Sequence, residues 1–149
     1  MDGRRFKLIE FGVKNLNNRI YYAENITIHQ SQFLGDNRLY ALINQPANIE
    51  TPMRDIFGII TIKIEDNSLI GYLNTAHSQE NSGIHKNWIS ANEKINSGYT
   101  LVTHGTGYTE KGIVKNCTIH GVYLTDTPSF VFEEDIIKIG KIYMHKKSP

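Results

Sequence analysis

The nine residues Thr100-Leu-Val-Thr-His-Gly-Thr-Gly-Tyr108 decide how this chain is read. Thr, Leu and Val favour a strand. Gly105-Thr-Gly107 then predicts a break into a loop. Enzymes often carry a nucleophile where a strand meets a glycine-rich loop, because small residues let a substrate approach the backbone. Here that edge carries Thr103 and His104, and neither serine nor cysteine.

Outward from this stretch the pattern is mostly that of strands. Arg5 to Val13 reads as a strand, Asn15-Leu-Asn-Asn18 as a turn, and Arg19 to Tyr22 as a short extended piece. Ala23 to Leu34 fits helix and strand equally. Leu39 to Asn44 reads as a strand stopped near Pro46. Ile56 to Glu65 and Leu69 to Thr75 form a hairpin through Asp66-Asn67. Ile84, Trp88, Ala91 and Ile95 keep helical spacing, which predicts a helix over 84–96, capped by Ser82 and ended at Gly98. Tyr99 to His104 and Ile113 to Leu124 are strands with a turn at Glu110-Lys-Gly112, and Asp135 to Met144 is the last strand. The expected fold is α+β: a mostly antiparallel curled sheet or small barrel with one helix, in a single domain over 1–149.

Bulk properties exclude some functions. At 149 residues the chain can bury a substantial core. A net charge of +1 offers no global electrostatic case for nucleic acid. The apolar runs are too short to span a bilayer, so no membrane partner is expected. The first residues lack the long apolar stretch of a signal peptide. The lone Cys117 excludes an intrachain disulfide and fits synthesis in a cytoplasm. Fourteen asparagines and twenty-one isoleucines point to an AT-rich genome of the kind many phages have.

Six histidines, at 29, 77, 85, 104, 120 and 145, are the main candidates for chemistry. Cys117 and His120 form a lone C-x-x-H. A structural zinc site needs a second pair of similar spacing, so neither metal nor cofactor is expected. His77 and His85 flank a polar loop leading into the helix. His29-Gln-Ser31 and His104-Gly-Thr106 repeat an H-x-[ST] pattern. Two such motifs on facing strands resemble the two-histidine phosphoesterases, which implies one imidazole as general base and one as general acid while the hydroxyls hold phosphate.

A further resemblance covers residues 5–132. "FGVKNLNNRIYYAENI" (11–26) is similar to the opening of tailed-phage prohead maturation proteases: a strand, an asparagine-rich turn, then an Arg-(Ile/Val)-Tyr signature, matched by Leu16-Asn-Asn-Arg-Ile-Tyr21. Next in that family comes a strand ending in Asn/Asp-His-Pro, whose histidine is the base. "ALINQPANIE" (41–50) supplies Asn44 and Pro46 but carries Gln45 at the histidine position. The family's L-x-G-x-L strand is matched by Leu69-Ile-Gly71-Tyr-Leu73, and its helix with a following Ser-Gly by Ile84 to Gly98. The nucleophile strand corresponds to "LVTHGTG" (101–107). The family's last strand ends in an apolar-x-x-(Asp)-Pro-Ser pattern, to which "GVYLTDTPSF" (121–130) corresponds with Asp126, Pro128 and Ser129. The resemblance implies a fold related to the herpesvirus assembly proteases.

The departures bear on activity. A glutamine amide has no useful pKa near neutrality, so Gln45 cannot be the base. The β-methyl of Thr103 restricts its hydroxyl, and His104, adjacent on a strand, points to the opposite face. The catalytic positions Gln45, Thr103 and His104 are degenerate. The expectation is a non-enzymatic virion protein, with the major capsid protein or another virion protein as partner, acting as an auxiliary or decoration protein. "SFVFEED" (129–135) is a candidate contact strip, and His145-Lys-Lys147 a basic tail. The alternatives are an active prohead protease with an unusual catalytic set, or a two-histidine phosphoesterase using His29 and His104.

Overall fold

Two tight turns organise the chain. Asp66 and Asn67 both take positive φ, 49° and 64°. This is the two-residue hairpin turn whose twist matches that of the strands it joins. Lys111 and Gly112 repeat the device at 53° and 82°. The computed structural model describes residues 4–14, 18–31, 33–48, 50–74, 83–126, 130–131, 138–139 and 141–144. Its elements in chain order are β1 (Arg4–Glu10), β2 (Ile26–Ile28), β3 (Arg38–Leu42), β4 (Ile56–Glu65), β5 (Ser68–Asn74), α1 (Gly83–Asn96), β6 (Thr100–Glu110), β7 (Ile113–Thr125), β8 (Phe130–Val131), β9 (Lys138–Ile139) and β10 (Lys141–Met144).

The main sheet runs β1-β5-β4-β3-β7-β6-β10, with β2 also paired to β7, and β8 pairs β9 separately. The long pairings are antiparallel, whereas β2 and β3 on β7, and β10 on β6, are parallel. β1 at one end of the order also lies against β6 near the other end. The sheet is therefore strongly curled, a half-barrel, and the fold class is α+β as the sequence pattern predicts.

Apolar side chains of the inner face, among them Leu8, Leu39, Ile60, Leu73, Leu101, Ile119 and Val122, form the main core. Helix α1 closes it. Ala91 is buried there, Trp88 and Ile95 pack against it, and the Trp88 ring lies 6.1 Å from that of Phe57. Arg4 Nη2 donates to Asn92 Oδ1 at 2.8 Å, tying the helix to β1. The helix ends as Gly98 predicts, at φ 113°. Gly98 N–H donates to Ile95 O at 3.1 Å and Tyr99 N–H to Lys94 O at 2.9 Å, which satisfies two terminal carbonyls. A smaller cluster of Leu42, Ile56, Val102 and Tyr123 sits on the sheet's other face. The centre of β6 and β7 is thus buried on both sides.

Several boundaries differ from the sequence expectation. β1 stops at Glu10, because Phe11 N–H donates to Asn67 O and Gly12 turns at φ 77°. The ambiguous segment after Tyr22 becomes a 3-10 turn over Ala23–Asn25 followed by β2. Most important, Gly105-Thr-Gly107 is no loop. β6 continues through it to Glu110, and its register with β7 slips at His104/Gly105 and again at Thr106/Tyr108, each time with the extra residue on β7. A Cβ at Gly105 would collide with the Thr118 carbonyl, so this glycine permits close strand approach rather than a break. Asn15, Leu16, Asn17, Thr75, His77, Ser82, Pro128, Ser129, 132–135 of the contact strip and the tail from His145 lie outside the described residues.

Candidate functional site

The alternation of a strand sends neighbouring side chains to opposite faces. On β6, Leu101 belongs to the main core and Val102 to the outer cluster, so Thr103 turns inward and His104 outward. Both are 0% exposed. Among the described residues Thr103 Oγ1 has no hydrogen-bond partner. His104 faces Gly121 across the β6–β7 pairing, and its ring tilts against Tyr123 at 6.3 Å between centroids. Burial, with a smaller contribution from nearby His120, holds the His104 imidazole down at about 4. It is neutral at physiological pH.

Gln45 lies elsewhere. It is exposed on the connection after β3, where it lines a polar depression of about 300 Å³ with Asn48, Glu50 and Arg54. Neither Thr103 nor His104, both fully enclosed, opens onto that surface. The three positions do not share a cleft. Tyr21 of the Arg-Ile-Tyr signature is a core residue at 1% exposure. Burial raises its phenol, opposed by Arg19 beside it.

The remaining histidine motif assembles differently from its sequence pairing. His29 N–H donates to Ile119 O at 2.9 Å just beyond β2, which places His29 next to His120. The two rings stack at 4.7 Å with 27° between planes. They share a cavity of about 80 Å³ with Ser31, Tyr40 and Thr51. Partial burial and His29 both lower the pKa of His120. His29 is exposed and His104 is not, so those two imidazoles do not meet in one open cleft.

Cys117 and His120 also separate: Cys117 is buried in the main core, where burial pushes its thiol up to about 12, while His120 stacks outside. Among the described residues no group of three or more His, Cys, Asp or Glu could hold a metal ion. No pattern within either segment signals the His29–His120 contact, because the two rings meet only through the pairing of β2 with β7. Odd spacing on a strand was the available signal that Cys117 and His120 diverge.

Comparison with protein-family models, with curated proteins and with solved structures gives no match. The likeness to prohead proteases rests on the quoted motifs. No described helix is long and apolar enough to cross a membrane.

Proposed function

We propose that this chain is a non-catalytic virion protein that binds an assembled protein surface, with the capsid as its partner and the mature particle as its location. One observation carries the non-catalytic half: Thr103 and His104, at the nucleophile position, are 0% exposed within a continuous strand. A nucleophile must come within hydrogen-bond reach of both substrate and base. Thr103 meets neither requirement, and Gln45 cannot take its proton. The capsid half rests on the prohead-protease motifs: a domain of that kind without activity is retained for binding, and a shell of many equivalent sites gives high occupancy at modest affinity.

The experiment incubates purified protein with the capsid precursor, follows intact mass, and pellets mature particles. The expected result is no cleavage and an intact chain in the pellet. Defined cleavage that disappears in Thr103→Ala overturns the non-catalytic reading. Absence from the particles overturns the capsid reading.

One observation favours a second reading. His29 and Ser31 share their small cavity with another imidazole, His120, which stands where His104 was expected. Hydrolysis of a cyclic phosphodiester, lost in both His29→Ala and His120→Ala, establishes that reading instead.

A further inference from the structure

The curled sheet parts along one edge of β7. β2 pairs with β7 over Cys117–Ile119, and β3 pairs with β7 further along, at Val122 and Tyr123. On its other side β3 covers β4 only from Ile56 to Thr61. Beyond this, Ile62 N–H donates to Asn37 O at 2.8 Å, and the pairing ends. The far half of β4 and the outer edge of β2 face each other across a cleft of about 390 Å³ lined by Ile26, Ile28, Ile62, Lys63, Ile64 and Leu69.

Both walls offer main chain. Because Ile62 N–H points toward the cleft, the two-residue period turns the N–H and C=O of Ile64 the same way. His29 N–H points to β7, so by the same period Ile28 turns its backbone groups away from β7, into the cleft. Among the described residues neither Ile28 nor Ile64 makes a backbone hydrogen bond across it. The side chains agree. Ile60, Ile62 and Ile64 share one face, and their exposure runs 0%, 4% and 60%. Ile64 occupies a core register yet stays open to solvent.

We infer that this cleft binds an extended peptide segment of a partner protein, which adds a strand between β2 and β4 and covers Ile64. Open backbone edges on both sides select polypeptide main chain. The cleft is about four residues long, roughly 13 Å of strand. That is too short for the roughly 800 Å² per side of a stable contact between folded copies. It fits one linear segment. Lys63, between Ile62 and Ile64, points to the opposite face and, among the described residues, is the one charged residue lining the cleft. The matching segment therefore alternates apolar residues with an acidic one on its outer face.

The test titrates the full chain with a labelled, capped peptide, acetyl-Thr-Val-Asp-Val-Thr-Val-amide, by anisotropy and by amide NMR. Saturable binding is expected, with shifts concentrated at Ile28 and at 62–65. N-methylation of the central valine, which removes one main-chain donor, is expected to weaken it by about tenfold. Ile64→Asp, at an exposed position that leaves the core intact, is expected to weaken it by a similar factor of about ten. Lys63→Glu is expected to reverse the preference, so that the peptide with Lys in place of Asp binds better. The inference is overturned by absence of saturable binding, by equal binding of the N-methylated peptide, by equal binding to Ile64→Asp, or by shifts centred elsewhere.

Discussion

His104 and Gly121 face each other across β6 and β7, and the imidazole occupies the space that a side chain at 121 would need. A Cβ built on Gly121 would stand 2.5 Å from His104 Nε2 and 3.2 Å from the Tyr40 carbonyl oxygen. The histidine is accordingly a packing element of the sheet.

Gly121→Ala is therefore expected to destabilise the fold by about 1–3 kcal/mol, the usual cost of overpacking. His104→Ala should relieve it. A double-mutant cycle followed by urea denaturation is expected to show a coupling of about 1 kcal/mol or more. Additive effects would show that the two side chains do not compete for this space.

The buried imidazole also sets a pH dependence. In the folded chain His104 titrates at about 4, whereas unfolded histidine titrates near 6.5. Below about pH 6.5 the unfolded state takes up a proton that the native state refuses, so stability falls with pH until about pH 4, where both are charged. The loss between about pH 7.5 and about pH 5 is expected to be roughly 2 kcal/mol from this group. His120, lowered in the same direction, adds to the trend. His104→Gln should flatten the profile, and an unchanged slope in that variant would assign it to other groups.

Thr103→Val replaces a hydroxyl that is enclosed without a hydrogen-bond partner among the described residues. Removing a desolvated, unsatisfied polar group while keeping side-chain shape is expected to raise stability by about 1 kcal/mol. A shift of the urea midpoint upward at unchanged m-value is the signature. A downward shift would mean that the hydroxyl is satisfied in solution.

Cys117 is 0% exposed and its thiol is pushed up to about 12 by burial. The thiolate is the reactive form, so native protein is expected to resist an aromatic disulfide reagent and to react only at the rate of opening. Full reaction within seconds, without denaturant, would place the thiol at the surface.

How much of this was legible beforehand follows the range of the interactions. The hairpin at Asp66-Asn67, the turn at Lys111-Gly112 and the helix ended by Gly98 were read from sequence because each is set by residues within a few positions of one another. The alternation of apolar residues similarly announced an α+β fold with a curled sheet. The candidate site was legible only as a set of residue types, Gln45, Thr103 and His104, whose placement relative to one another no local pattern contains.

What the tertiary structure alone decided is everything that depends on which strand lies beside which. Gly105 looks like a loop former in its own segment, yet it is held in β6 by the approach of Thr118. His29 meets His120 because β2 joins the same edge of β7 that β3 occupies further along. The exposure of Ile64 arises because β3 covers only the first half of β4. Pairing partners far apart in the chain are selected by the free energy of the whole sheet, and no local window contains that information.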